Sequence, residues 1–180
     1  MRTKALITRF NTRANEWLID LKKSDSAFLL KKPTEDLWSL AEVYDHVMRV
    51  ARHYQIPNLK SSMTATAYRK KRKNVKGFAV FNLGVRKNVT MRLEKWPMPI
   101  VKAFTPLRRN KLDLIEDFSA FIKEVNSLES SLNQSTKKNK QYHPFFGDIA
   151  TKEWFALIEL HIWQHDKQKE KIKRLLRQHS

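Results

Sequence analysis

Residues 143–176 of this chain read HPFFGDIATKEWFALIELHIWQHDKQKEKIKRLL, and this stretch carries most of what the sequence says about fold and chemistry. Thr151 has the chemistry of an N-cap, and Glu153 follows in the first turn, where a carboxylate complements the helix dipole. Apolar residues recur at three- and four-residue steps, which predicts an amphipathic helix. His161 and His165 lie on the same stripe, one turn apart. The stretch therefore predicts a long helix with two histidines facing the core.

The composition indicates a folded and mainly helical chain. Of the 180 residues, 41% are hydrophobic and 11% are aromatic, as in folded proteins, and the length suits one domain over residues 1–180. Only three residues are glycine, which sheet-rich folds need for turns. The chain has no cysteine, which excludes disulfides and thiolate ligands, so any metal must be held by nitrogen and oxygen. The N-terminus resembles neither a signal peptide nor a membrane span, so we expect a cytoplasmic protein with no membrane association.

The charge balance is strongly basic. Thirty-six Lys and Arg residues against 18 Asp and Glu residues leave a net charge of +18. Such a surplus attracts polyanions, although a general bias of surface composition would produce the same balance. The densest basic cluster contains the candidate anion-binding residues Arg69, Lys70, Lys71, Arg72, Lys73 and Lys76. We interpret this cluster either as a solvated loop or as a phosphate-binding arm.

Three further helices are predicted from periodicity and capping. Residues 4–21 show apolar residues at helical spacing, and a second helix opens with Ser39 and Glu42 in the pattern of a capping box. Pro57 should end or kink that helix. A third helix follows Pro106 and keeps one apolar face, formed by Leu112, Ile115, Phe118, Ile122, Val125 and Leu132. Four amphipathic helices around one core predict an all-α four-helix bundle.

The second and third helices are separated by a long basic crossover, residues 59–106. A connection of this length suits two helices that run parallel, because the chain must return along the bundle before it starts again. The crossover contains the short β-prone pieces GFAVFNLGV and VTMRL, so part of it is a candidate for a small hairpin.

A third histidine that can face the core lies on another helix and joins the two histidines of the last helix. His46 lies at the border of the apolar stripe of the second helix, and three neutral imidazoles with open positions describe a catalytic metal site. His53 is the alternative third ligand if the register differs. A carboxylate that accepts a hydrogen bond from the ring commonly orients such imidazoles, and the candidates are Asp45, Glu42 and Glu159. His143 either sets the start of the last helix or overlooks a pocket.

Two motifs carry a resemblance to a known family. They are Trp38-Ser39-Leu40-Ala41-Glu42 leading to His46, and His143-Pro144-x-Phe146-Gly147 leading to Glu153-Trp154 and then to His161, His165 and Gln168. In these motifs, which cover about half of the chain, the sequence resembles the DinB/YfiT-like superfamily. The resemblance implies an up-down-down-up four-helix bundle. It also implies a divalent metal, nickel or zinc before iron or manganese, held by His46, His161 and His165.

The resemblance also bounds the expected activity. It implies a metal-dependent hydrolase or a thiol S-transferase that uses a low-molecular-weight thiol, with a small-molecule substrate. The metal would lower the pKa of a bound water or thiol and present it as the nucleophile. Bundles of this kind often pair through exposed helix faces, so a homodimer is a further expectation. One alternative is a non-catalytic helical bundle that associates with nucleic acid through its basic surface. Another is a bundle that has kept the three histidines but has no catalytic turnover.

Overall fold

The computed structural model describes residues 1–64, 72–85 and 98–178, and this part of the chain is mostly helical, as the all-α prediction requires. Two short strands, β1 (Lys140–His143) and β2 (Gly147–Ala150), pair as an antiparallel hairpin. A π-helical turn occupies Ala51–Gln55. The α-helices of the described residues are α1 (Thr3–Lys23), α2 (Ser26–Leu30), α3 (Leu40–Val50), α4 (Ile56–Ser62), α5 (Val75–Phe81), α6 (Met98–Phe104), α7 (Lys111–Asn126), α8 (Glu129–Gln134) and α9 (Thr151–Gln178).

The core lies between the long helices. Helix α1 packs against α7 and α9, and α3 packs against the same two helices. The inward face of α1 follows the predicted spacing, and its buried residues include Leu6, Phe10, Ala14, Trp17 and Leu21. Phe10 contacts α7 and α9 together, because its ring lies 6.0 Å from the ring of Phe121 and 6.0 Å from that of Phe155. The aromatic residues of the core thus join elements that are distant in sequence.

Helix α3 begins as predicted but continues past the proline. The Ser39 hydroxyl accepts the Glu42 N–H, and the Glu42 carboxylate accepts the Ser39 N–H, so the capping box is confirmed. Pro57 does not end the helix, which runs on through α4 to Ser62. The distortion lies instead in the π-helical turn, where the Ile56 N–H donates to the Ala51 carbonyl. Proline has no N–H and crowds the carbonyl four residues earlier, and the wider winding accommodates both effects.

The crossover contains a helix at the first of the two predicted β-prone pieces. Helix α5 consists of residues 75–76 and the first five residues of GFAVFNLGV, and the Asn74 side chain caps this helix by accepting the Gly77 N–H. Gly77 is needed there, since a Cβ would lie 2.4 Å from the Phe146 carbonyl oxygen. The described hairpin is β1–β2, outside the crossover and directly before α9. The VTMRL piece at 89–93 and the cluster residues Arg69, Lys70 and Lys71 lie outside the described residues.

The third and fourth predicted helices need smaller corrections. The third is divided into α7 and α8, and Leu112 is 78% exposed although the apolar pattern predicts it to be buried. Thr151 is the first residue of α9, so its prediction as the N-cap is wrong. Its hydroxyl lies 2.6 Å from the Ser62 hydroxyl, and Glu153 accepts the Ala150 N–H at 2.8 Å. Within the described residues, no helix combines the length and apolar character that crossing a membrane requires.

Candidate metal centre

The structure brings His46, His161 and His165 together between α3 and α9. One ring nitrogen from each histidine lies within 4.8 Å of the others. The ring centroids are 5.1 Å apart for His46 and His161, 4.9 Å for His46 and His165, and 4.6 Å for the pair on α9. The three residues that the sequence groups as ligands are thus close enough to hold one metal ion.

The His46 ring is oriented by the backbone. Its Nδ1 lies 2.7 Å from the Phe104 carbonyl oxygen, at the end of α6, so a neutral ring donates its Nδ1–H there. The indole of Trp38 packs against the same ring, with centroids 4.7 Å apart. His46 is 6% exposed. The Nε2 lone pair of His46 therefore remains available for a metal.

The His165 ring is oriented by a side chain on its own helix. Its Nδ1 lies 2.6 Å from Gln168 Oε1, which accepts the Nδ1–H, and its Nε2 lies 3.1 Å from Nε2 of His161. Two ring nitrogens at this distance need either a proton or a cation between them. A tetrahedral ion with bonds of about 2.0–2.1 Å to nitrogen would separate two ligands by about 3.3 Å. The donor set and this spacing fit a divalent metal that imidazole nitrogens bind.

His161 differs from the other two histidines on its outer side. It is 8% exposed, and its Nδ1 atom has no hydrogen-bond partner among the described residues. The ring nitrogen opposite to a metal bond almost always donates its hydrogen to an acceptor. His46 and His165 follow this pattern, whereas the described part of the chain offers the outer nitrogen of His161 no partner.

Burial keeps the cluster in the form that binds metals. Burial lowers the pKa of His46 to about 4, assisted by the charge of His165 and opposed by the hydrogen bond to Phe104. The pKa of His161 lies well below its ordinary value because of burial and the two neighbouring imidazoles. Burial also lowers the pKa of His165, against the hydrogen bond to Gln168. The three rings are therefore neutral at pH 7, which metal binding requires.

None of the three candidate carboxylates orients a ligand imidazole. Glu42 serves the capping box, Glu159 accepts from Arg13 Nε at 3.0 Å, and Asp45 accepts the Leu107 N–H at 2.7 Å. The orienting groups are a backbone carbonyl and a glutamine amide instead. Gln168 lies on the predicted stripe three residues after His165, which is a usable signal, whereas nothing in the sequence links Phe104 to His46.

The other two histidines of interest lie elsewhere. His53 is exposed on the π-helical turn and does not belong to the cluster. His143 ends β1, is 2% exposed, and packs between the rings of Phe146 and Trp154 at 4.7 and 5.1 Å. It lines a small cavity together with His161. Burial lowers the pKa of His143 to about 4.

The described part of the basic cluster is only partly free to bind an anion. Lys73 Nζ pairs with Glu153 and donates to Asn82 Oδ1 at 2.8 Å, so this charge is used within the protein. Lys76 is exposed with its Nζ 4.4 Å from the ring centroid of Phe145, and Arg72 is exposed. No described contact joins this basic cluster to the three histidines.

Comparison with known proteins adds no assignment. No protein-family model matched the chain, and no curated protein matched it. The geometry of the three histidines and the helices that carry them is therefore the basis for the function.

Proposed function

We propose that α1, α3 with α4, α7 and α9 form an up-down-down-up four-helix bundle of the DinB/YfiT-like type. The packing of both α1 and α3 against α7 and α9 supports this arrangement, since each helix of a four-membered ring has two neighbours. The long connection between α4 and α7 supports a parallel pair at that step. The resemblance of the Trp38 to His46 segment and of the His143 to Gln168 segment supports the family.

Within this bundle, we propose that the chain is a metal-dependent enzyme, either a hydrolase or a thiol S-transferase. The observation that carries the proposal is the cluster of three neutral imidazoles on two different helices, with ring nitrogens within 4.8 Å of one another. Three protein ligands leave coordination positions open, as in catalytic rather than structural sites. Nickel or zinc is the first choice of metal, and iron or manganese is the second.

The residues around the cluster define what the protein itself contributes. When bound, a divalent metal supplies Lewis acidity, which lowers the pKa of a water or thiol ligand. His46 and His165 present Nε2 in fixed orientations, because Phe104 and Gln168 hold their Nδ1 atoms. Trp38 covers one side of His46 and limits access of water from that side.

The test of the metal site is elemental analysis of purified protein after incubation with zinc or nickel and gel filtration. Wild type and the control His53→Ala, whose histidine is exposed outside the cluster, should retain about one metal ion per chain. His161→Ala and His165→Ala should retain almost none. Equal metal content in all four proteins would contradict the proposal.

The two enzyme classes can be separated with cobalt as a spectroscopic probe. Bacillithiol, mycothiol or glutathione added to the Co(II)-loaded protein should produce intense near-ultraviolet charge-transfer absorption if a thiol binds the metal, because soft sulfur donates charge to cobalt. No such band with any of the three thiols would favour the hydrolase. His46→Ala protein serves as the control for cobalt that binds elsewhere.

The second candidate function is association with nucleic acid, favoured by the net charge of +18 and by the exposure of Arg72 and Lys76. Binding of this kind weakens steeply with salt, because each neutralised phosphate releases counterions. Fluorescence anisotropy with labelled duplex and single strands, measured between about 50 and 200 mM salt, should then show a fall of about 10³-fold or more. If neither the duplex nor the single strand binds at the lower salt concentration, this candidate function is excluded.

A further inference from the structure

Among the described residues, two buried polar atoms without hydrogen-bond partners lie on two elements that pack against each other beside the histidine cluster. They are Nδ1 of His161 on α9 and Oε1 of Gln55 on the π-helical turn. Leaving a buried polar atom unpaired is costly, so native proteins usually pair such atoms with a protein group or an ordered water. One atom is a donor when His161 carries its hydrogen on Nδ1, and the other is an acceptor, so the two are complementary.

Both residues line the same small cavity. Its volume is about 30 Å³, and the other residues around it include Tyr54, His143 and Gln164. A cavity of about 10–15 Å³ or more, measured as space for the centre of a water-sized sphere, accommodates one water molecule if polar partners are available. The cavity has the size for one water, and two of the residues that line it, Gln55 and His161, carry the unpaired polar atoms.

The π-helical turn holds Gln55 in this position. Gln55 is 5% exposed, and its Nε2 donates to the Leu157 carbonyl oxygen at 3.3 Å. Leu157 lies one turn before His161 on α9, so the amide group is anchored beside the turn that carries the histidine. Turns with π-helical winding occur frequently at functional sites.

We propose that one water molecule in this cavity joins His161 Nδ1 to Gln55 Oε1 and makes Gln55 the positioning residue of the third imidazole. His46 and His165 already have acceptors in Phe104 and Gln168, so Gln55 completes the set. The effect of Gln55 on metal affinity rests on the proposed function, whereas the water link itself requires no metal.

The chemistry of metal binding explains why His161 needs this partner. Without a metal, the 3.1 Å contact between the Nε2 atoms of His161 and His165 accommodates one hydrogen. A metal ion that takes both Nε2 lone pairs leaves the hydrogen of His161 on Nδ1, where it needs an acceptor. A water molecule donates or accepts as required, so it serves His161 in both states.

The test compares Co(II) affinity and absorption spectra of wild type, Gln55→Leu, Gln55→Glu and Gln164→Leu. Gln55→Leu should bind Co(II) about 10–100-fold more weakly, as expected when an outer partner of a ligand histidine is lost. It should also shift the visible d–d bands, because the ring of His161 is no longer held. Gln55→Glu keeps an acceptor oxygen and should bind more tightly than Gln55→Leu. Gln164→Leu removes another polar residue of the cavity and should match wild type.

A crystal structure of the wild-type protein provides the second measurement. It should contain a water molecule within hydrogen-bond distance of both His161 Nδ1 and Gln55 Oε1. An empty cavity, an unchanged Co(II) affinity and spectrum in folded Gln55→Leu, or a loss in Gln164→Leu instead would overturn the inference. If Gln55→Leu fails to fold, the inference is tested by the water in the crystal structure and by the Co(II) absorption spectrum of Gln55→Glu. Failure of wild type to bind Co(II) would count against the proposed function, and the water would still test the link.

Discussion

At the residue scale, the buried polar groups of this protein depend on a few specific partners. Lys169 illustrates this on α9, one turn after His165. Its Nζ lies 2.7 Å from Asp20 Oδ2, donates to the Tyr44 hydroxyl at 2.9 Å, and lies 4.0 Å from the ring centroid of Trp17. Burial lowers the pKa of Lys169, and the hydrogen bond and charge of Asp20 oppose that effect. This buried ammonium group therefore joins α9 to α1 and α3.

Replacement of this lysine should destabilise the protein. Lys169→Met keeps the apolar stem but removes charge-assisted hydrogen bonds, so we expect the free energy of unfolding to fall by about 1–3 kcal/mol. Asp20 retains Lys173 at 2.7 Å, which limits the loss. Urea denaturation followed by circular dichroism measures the difference. Lys167→Met, at an exposed position of the same helix, is the matched control and should stay within about 0.5 kcal/mol of wild type. Equal stability of the two variants would contradict the role of Lys169.

At the element scale, the β1–β2 hairpin fastens part of the crossover to the start of α9. Asn74 N–H donates to the Phe146 carbonyl at 2.9 Å, and Lys73 forms a bridge with Gly147. Gly147 has a φ of +76°, and a Cβ there would lie 2.8 Å from the Asn74 nitrogen. The hairpin turn thus needs glycine for its backbone conformation and also for this close approach.

A pair of glycine substitutions separates these two requirements. Gly84 has a φ of +68° but open space around the position of a Cβ. Gly84→Ala should therefore cost only the strain of the left-handed conformation, about 1–2 kcal/mol. Gly147→Ala adds a clash with the backbone, so it should lower the stability against thermal unfolding by more than Gly84→Ala does. It should also speed proteolysis near residues 72–74, because the segment loses its contact with the hairpin. A loss in Gly147→Ala no larger than in Gly84→Ala would show that the close approach does not matter.

At the scale of the whole molecule, buried neutral histidines make stability depend on acid. His46 and His143 each have a pKa of about 4, and those of His161 and His165 are also lowered. A histidine whose pKa is lowered by folding takes up a proton first in the unfolded chain. The folded state therefore loses stability as the pH falls below the ordinary histidine value of about 6.5. The loss ends near pH 4 for His46 and His143, where the folded rings also bind protons.

The acid sensitivity is measurable in protein kept metal-free with a chelator. His143 alone should reduce the free energy of unfolding by about 3 kcal/mol between pH 6.5 and 4, at about 1.4 kcal/mol per pH unit. His143→Gln should show a shallower slope than wild type over this range in urea denaturation. The contribution of Asp20 to stability changes only at lower pH. Burial raises its pKa, but Lys169 and Lys173 outweigh burial and lower it to about 2, so its contribution is lost as the pH falls towards 2. Identical slopes for wild type and His143→Gln would contradict the prediction.

Local patterns in the sequence predict the long helices and the histidine pair on one face of α9 correctly. His46 joins the histidines of α9 only through the packing of α3 against α9, whereas the capping box of Ser39 and Glu42, the inward face of α1 and the placement of His161 and His165 one turn apart all follow from spacing. These features depend on residues three or four apart, and helical geometry converts such spacing directly into shared faces. The sequence is equally informative about charge and about the absence of thiol ligands.

The outer partners of the histidines and the form of the crossover depend on contacts between distant segments. Phe104 reaches His46 across a separation of 58 residues, and Gln55 on the π-helical turn lines the same cavity as His161 on α9. Helix α5 replaces a β-prone pattern because Gly77 packs against the Phe146 carbonyl. Chain folding brings these groups together through packing and backbone hydrogen bonds, and no local periodicity encodes either. The spacing of residues therefore specifies which side chains can form the site, and tertiary packing specifies how each one is oriented.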